Sequence, residues 1–452
     1  MTKDTFNAKL REYAKTVSPT SEERELISGE GGIYKSINNT LDINNTLQIG
    51  SYPRFTAITP VHDLDILFVA GSWHDDWSLE QFSPKKAIAG LQKEFENRYT
   101  PPQGYAVIKL SPQTHSITIE LKSDNHEFSV DIVPAYSFSK NEYGDDMYMV
   151  PEIVRVSSHT KRQKVYNQKY ARCENIGWIK SDPRGYIKVA TEVDQNTDFR
   201  KTVKFIKTWK TNLQEEDEGL KLKSFHLEQV VTQMYQADSS LTIYDAIFNF
   251  FYYLPDIINV PNQIQDRADP QSYIDEYLDR FNEGQKSKFK QARDGFLIKL
   301  ENLGVDDDVS DLVDIIFYNR PQSESFMFDK GIKTLVDPNV SIVIDGIVRP
   351  LKGFTDGSLR NSLPLKKGLS RGGDKTRRID FSVVRDTTNA TEKWWKVRNQ
   401  DGCGGELRGE ITLGGTAQSP EKTIYPGSHY VECYAVENNV CTAKDRIIVK
   451  II

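Results

Sequence analysis

Three aspartates carry the chemistry this sequence suggests. Asp63 and Asp65 stand two apart at the entrance of an apolar β-type run, HDLDILFVA, and Asp131 stands inside a second one, HEFSVDIVPAY. Alternate residues of a strand share a face, so Asp63 and Asp65 point one way while Leu64 and Ile66 point into the core. Adjacent carboxylates repel one another unless a cation lies between them, and a lone carboxylate buried in a strand is costly. A meeting of all three acids around divalent metal relieves both penalties, and an oxygen-only ligand set suits Mg²⁺ or Mn²⁺, not Zn²⁺. An Asp-x-Asp pair alone is common in turns and edge strands. What sharpens this one is order: a Gly50-Ser51 turn comes first, then the pair on a strand, then the single Asp on a later strand.

The surrounding elements must hold these residues in place. Residues 3–17 have a helical pattern, with Phe6, Leu10 and Tyr13 on one face. A second helix is expected from Ser18-Pro19, with Thr20 and Glu23 as a capping box, running through Gly29, Gly31 and Gly32 to about Leu47. An aromatic, acidic loop (Trp73 to Trp77), a helix (SPKKAIAGLQKEFENRY) and three β-type segments (YAVIKL, HSITIEL, EFSVDIVPAY) follow. Together they predict an α/β (α+β) core with a mixed sheet over residues 1–197. Residues 137–190 read as polar and irregular, with a hairpin or lid, and WIKSDP as a turn.

From Asp198 to Lys330 the pattern is helical. Lys201, Lys204, Lys207 and Lys210 recur every three residues beside an apolar face, and a solvated stripe is the plain reading. SFHLEQVVTQMY begins a helix at Ser224, and YDAIFNFFYYL reads as a buried one. Residues 331–390 read as short strands and a basic, glycine-rich linker, and residues 391–452 as a small all-β, sandwich-like module.

Composition narrows the function. The 452 residues are 38% hydrophobic and 27% charged, an ordinary soluble balance. No apolar run reaches membrane-spanning length, and the N-terminus has no signal-peptide core, so a cytoplasmic protein is expected with no membrane partner. The four cysteines include no CxxC pair, which argues against zinc and against a disulfide framework. A net charge of −6 speaks against a long nucleic-acid track but leaves room for a local triphosphate pocket.

The motif order resembles the nucleotidyltransferase superfamily typified by DNA polymerase β. More narrowly, GSYPRFTAI, HDLDILF, VDIVPAY, WIKSDP, FIKTWK and SFHLE resemble the bacterial cGAS/DncV-like nucleotidyltransferases over roughly residues 1–330. The tail, through WKVRN, RGEI, HYVECY and AKDR, resembles the C-terminal sensor module found fused to them. The resemblance implies a polymerase-β-like core and a helical half over residues 198–330 that closes the cleft. It implies that Asp63, Asp65 and Asp131 bind two Mg²⁺ ions, with Mn²⁺ able to substitute. Gly50, Ser51, Lys207 and Ser224 would hold the donor triphosphate, Phe225 would stack on a base, and Glu228 would orient the serine or its helix. The implied product is a cyclic di- or trinucleotide made from ATP, with GTP or another nucleoside triphosphate, for antiphage signalling. No nucleic-acid template is implied, and the protein would be a monomer unless complexed with a regulatory protein. Two other readings stay open: template-free nucleotide transfer to RNA or protein, and a non-catalytic binder that works through its β module.

Overall fold

The computed structural model describes residues 2–41, 45–74, 83–124, 126–153, 177–304, 306–349, 356–365 and 376–452. Cys173, most of the glycine-rich basic stretch and the middle of the expected lid fall outside these residues.

Helix α1 spans Lys3–Thr16 and α2 spans Ser21–Ser28. The capping box forms as expected, with Thr20 itself as the N-cap. The helix does not run on to Leu47. It ends at Gly29, and at Gly32 the chain passes so close beneath that a Cβ would lie 2.7 Å from the Leu26 carbonyl. A new helix, α3 (Ile33–Leu41), follows, and Thr46–Ile49 form strand β1.

The first sheet gathers seven described strands: β1, β2 (Asp63–Ser72), β3 (Ala106–Pro112), β4 (Ile117–Lys122), β5 (Glu127–Lys140), β6 (Asp146–Pro151) and β7 (Trp178–Ser181). The order β1-β2-β5-β4-β3 forms its main path, with β6 on β5 and β7 on β6. It is mixed, since β2 and β5 run parallel while the other pairs are antiparallel. One face buries Leu64, Ile66, Ile117, Ile119, Val130 and Ile132 under α2, α3 and α4 (Pro84–Arg98). WIKSDP is not a turn: Trp178–Ser181 is β7, and Asp182 caps α5 (Pro183–Asp194) by accepting the Gly185 N–H, with Pro183 opening the helix.

The helical half consists of α6 (Phe199–Glu216), α7 (Ser224–Ala237), α8 (Ile243–Asn259) and α9 (Glu283–Asn302). Its core is aromatic: Trp209 meets Phe251 edge-on, and Phe251 stacks on Phe296. No helix among the described residues is long and apolar enough to cross a membrane.

Residues 331–390 are not merely a linker. Strands β9 (Ile342–Arg349), β10 (Gly357–Ser358), β11 (Arg378–Asp386) and β14 (Glu421–Lys422) make one sheet. It packs on a second sheet of β8 (Lys333–Thr334), β12 (Glu392–Arg398), β13 (Arg408–Leu413), β15 (Gly427–Glu437) and β16 (Val440–Ile451). Ile342, Ile344, Leu359, Leu365 and Ile379 share one core with Trp395, Val431 and Val449. The stretch looked like a linker because a sandwich strand needs only every second residue apolar.

The sandwich is clasped to the helical half. Lys333 Nζ pairs with Asp245 of α8, which also pairs with Lys3. Burial opposes the charge on Asp245, but Lys3, Lys333 and Thr242 hold its pKa down at about 2. The Tyr244 hydroxyl donates to the Thr334 carbonyl at 3.1 Å, and Lys444 donates to the Glu301 carbonyl at 3.0 Å.

Candidate active site

The sheet register brings two of the three acids together. Asp65 of β2 lies directly opposite Asp131 of β5, with Asp63 two residues earlier on the face it shares with Asp65. Asp63 is exposed and the other two are half-buried. Burial, then the charges of Asp63 and Asp131, push the Asp65 carboxyl up to about 7. Burial raises Asp131 as well.

The acids do not close into the tight cluster expected of them: among the described residues no three His, Cys, Asp or Glu side chains are gathered as ligands for one ion. Like charges facing one another across a strand pair spread apart, and Asp131 turns to the hydroxyls of Thr118 and Ser116. The donor set nevertheless fits a hard divalent cation, being all oxygen and carrying a mutual repulsion that a cation would relieve.

The Gly50-Ser51 turn ends β1 against this group. Gly50 sits at φ +76, and a Cβ there would lie 1.9 Å from Asp65 Oδ2. Both the backbone and the carboxylate therefore demand glycine. Ser51 follows, and its carbonyl accepts the Thr56 N–H at 3.0 Å, which closes the loop. Its hydroxyl makes no hydrogen bond to another described residue.

Beneath the loop lies a buried polar knot. Glu228 of α7, wholly buried, accepts from the Arg54 guanidinium, from Thr56 Oγ1 at 2.7 Å and from Lys207 Nζ at 2.9 Å. Burial works against its charge, but Arg54 and Lys207 prevail and hold its pKa at about 2. Lys207 also donates to the Thr56 carbonyl at 3.0 Å. In this structure the Lys207 amine is engaged under the loop, where it bonds Thr56 and Glu228 as a strut, within electrostatic reach of Asp63 and Asp65. Arg200 adds a bond to the Arg54 carbonyl at 2.9 Å and lays its guanidinium 4.8 Å from the Phe55 ring.

Ser224 opens α7 one turn before Glu228, so the knot that fixes the loop also fixes this serine beside it. Phe225 packs with its ring 5.1 Å from the Arg54 guanidinium and meets Tyr186 edge-on.

Spacing alone did not single out Arg54, Thr56, Thr118 or Lys210. Arg54 and Thr56 stand inside GSYPRFTAI, and a charged residue between two apolar ones in a tight loop was the available signal. Lys210 lies one helical turn beyond Lys207, half-buried, its pKa lowered by burial and by Lys207 and opposed by the charge of Asp63. Of the four stripe lysines it is the one whose amine makes no hydrogen bond or ion pair to another described residue. Lys201 is occupied with Asp198, and Lys204 with Ser18. Lys210→Ala is therefore expected to raise the apparent KM for nucleotide by about tenfold, with Lys201→Ala within about twofold of wild type. Equal losses from both would point to a diffuse basic face.

The Asp65 shift predicts a pH dependence for the protein kept in chelator. Below about pH 4 the carboxyl is protonated whether folded or unfolded. Between there and 7 the unfolded chain ionises while the folded one keeps its proton, so stability falls as pH rises, by about 2–4 kcal/mol. Asp65→Asn should accordingly raise the melting temperature at pH 8 and leave it unchanged at pH 4. Calorimetry at the two pH values checks this.

Comparison with known proteins addresses the tail most directly. Residues 328–452 match the model of the adenylyl/guanylyl and SMODS C-terminal sensor domain. The match begins at the end of the helical half and takes in every described strand of the sandwich. A probable cyclic nucleotide synthase of Bacillus cereus (strain VD146) is 23% identical over 209 residues, 41% of this chain. The chain spans 54% of that relative's length. Among solved structures, CdnC of E. coli MS115-1 with ATP superposes with TM-score 0.46 and 15% identity over 68% of this chain and 94% of its own. DncV of Escherichia coli, in its 3′-deoxy GTP-bound form, gives TM-score 0.41 and 13% identity over 71% and 82%. The family match and the synthase relative agree with the resemblance read from the sequence, a cGAS/DncV-like nucleotidyltransferase fused to a sensor domain.

Proposed function

We propose that this protein is a cyclic oligonucleotide synthase that joins nucleoside triphosphates, ATP among them, into a cyclic di- or trinucleotide messenger for antiphage defence. The observation that carries the reading is Asp65, which lies between Asp63 and Asp131 and directly over Gly50. One spot thus combines mutually repelling carboxylates with a glycine turn beside them. Similarity to a probable cyclic nucleotide synthase supports it.

In this reading Asp63, Asp65 and Asp131 would hold Mg²⁺, or Mn²⁺ in its place. When bound, the metal would neutralise phosphate charge and ease ionisation of the attacking ribose hydroxyl. The chain supplies the rest. Gly50 and Ser51 offer backbone N–H groups and a free hydroxyl to the triphosphate, joined by Ser224 and Lys210. The Glu228 knot keeps this loop rigid, so that orientation is settled before the substrate arrives. Lys207 contributes as a strut of that knot, and Phe225, backed by Arg54, offers an aromatic surface to a base. Each bond forms when a ribose hydroxyl attacks an α-phosphate in line and pyrophosphate departs. The linear intermediate then turns over for ring closure. The sensor domain regulates or recruits, and a regulatory protein partner would act on the same chain.

The test is incubation with labelled ATP, GTP, CTP and UTP in Mg²⁺ or Mn²⁺, followed by phosphatase. Phosphatase-resistant product is expected. Products that lose their label would indicate transfer to a linear acceptor, and none at all would indicate a binder.

A further inference from the structure

We propose that the cavity between the two sheets of the sensor domain is a binding site for an uncharged, planar nitrogen heterocycle of nucleobase or nucleoside size. The inference does not rest on the transferase reading. The cavity encloses about 240 Å³, below the roughly 300 Å³ at which pockets begin to hold drug-sized molecules. Phe381, Val397 and Val431 form apolar walls, and Tyr425 adds a second aromatic ring at the mouth.

Its charges exclude an anion from the interior. Glu406 and Glu421 balance Arg408 and Lys422 among the lining residues. The Arg408 fork is already consumed: Nη1 and Nη2 meet the two oxygens of Glu421 at 2.6 and 3.1 Å, and Nε meets Glu410 at 2.9 Å. A phosphate would find no free guanidinium inside, only the amine of Lys422 at the exposed edge, with the carboxylate of Glu406 nearby. An aliphatic chain fits less well, since it would cover the half-buried carboxamide of Asn399 and leave that of Gln418, at the exposed edge, without use. Asn399 Nδ2 donates to the Glu406 carbonyl at 2.7 Å, but its oxygen and the whole Gln418 carboxamide make no hydrogen bond to another described residue. A carboxamide presents a donor and an acceptor side by side, the complement of a heterocycle's edge, and aromatic faces suit its plane.

The backbone is strained where a site would use it. Arg408, a non-glycine residue, sits at φ 55, and Gly409 follows at φ 124. His429, from the HYVECY stretch, accepts the Gln400 N–H and donates to the Tyr425 carbonyl, tying together two loops at the mouth. The strained pair also carries the seam with the helical half. Ser323 Oγ donates to the Arg408 carbonyl and the Ser325 N–H to the Gly409 carbonyl, both at 3.0 Å. Beside them, Lys396 pairs with buried Glu324 at 3.1 Å. An occupant of the cavity therefore touches the wall that the helical half leans on.

The experiment uses the full chain with ¹³C-labelled Ile and Val methyls, titrated separately with adenosine, guanosine, cytidine, uridine, inorganic phosphate and decanoate. At least one nucleoside should give saturable shifts at the Ile379, Val397 and Val431 methyls, which locates binding away from the aspartates. Asn399→Leu with Gln418→Leu should weaken that binding at least tenfold while other methyls keep their positions. If the pair disturbs the fold, exposed Gln418→Leu alone serves, with at least a threefold loss expected. The proposal is overturned if no nucleoside moves those methyls, if phosphate or decanoate moves them instead, or if the folded Leu variant binds as wild type does.

Discussion

Asp63→Asn combined with Asp65→Asn is expected to abolish product formation, lowering the rate by about a thousandfold or more, while the protein melts no lower than wild type at neutral pH. The second half of the expectation matters as much as the first. Most removals of charged active-site groups are confounded by unfolding, but here the folded state holds two carboxylates on one strand face against a third. Amides in their place relieve repulsion and burial cost together. Asp65 is the more informative single change, because it lies against Gly50 and opposite Asp131. Product analysis and calorimetry on one preparation give both readings. A double variant that turns over at wild-type rate removes the proposed site, and one that melts far lower means the acids serve the fold.

The second large effect concerns the C-terminal sandwich. From the sequence, a cut after Lys330 leaves either a folded remainder or, if residues 336–360 pack into the core, one that aggregates. The contacts in the structure favour the second outcome. The cut takes Lys333 from Asp245, the Thr334 carbonyl from the buried Tyr244 hydroxyl and Lys444 from the Glu301 carbonyl. It also uncovers Met327, which packs with Ile332, Ile411, Tyr434 and Cys441. Unpaired buried polar groups and a bared apolar face should together destabilise the remainder by about 5 kcal/mol, an appreciable share of a domain's stability. Low soluble yield and aggregation are expected. A cut near Asp386 should be worse, because it leaves β9 and β11 without the sheet that covers them. If residues 1–330 were soluble and melted within a few degrees of the full chain, the two parts would be independent after all.

The legible and illegible parts of this chain separate by physical cause. Asp63, Asp65 and Asp131 stood out in the sequence because a carboxylate inside an apolar alternation has no structural excuse, and Gly50 because of its neighbours; the fold sets Asp65 opposite Asp131 and against Gly50. Lys207 stood out by its place in the motif, but its hydrogen-bond partners could not be read from spacing. Spacing put it on the correct face of α6, but only the fold reveals that Glu228 lies within 2.9 Å of its amine. Lys210, one turn on, was indistinguishable from a solvated lysine until the sheet brought Asp63 near. The helix break at Gly29–Gly32 was misjudged because glycine's cost in a helix is small and the deciding contact, with the Leu26 carbonyl, is one of chain crossing. Strand β9 falls within the short strands read in residues 331–390, but the charged and glycine-rich stretch after it breaks the regular spacing by which a sandwich is recognised and hid β11.

Strand β16 has a bearing on how the protein is made. It lies between β15 and β8, and its backbone also bonds to Leu365. Every strand it joins is synthesised before it. The helical half can therefore collapse on the ribosome while the face that β8 will occupy beside Asp245 and Tyr244 still lacks its anchor. Closure waits until Ile451 has left the exit tunnel. Nascent chains stalled before Val440 should engage chaperones through that uncovered face, and emergence of β16 should be the moment at which the two halves become one cooperative body.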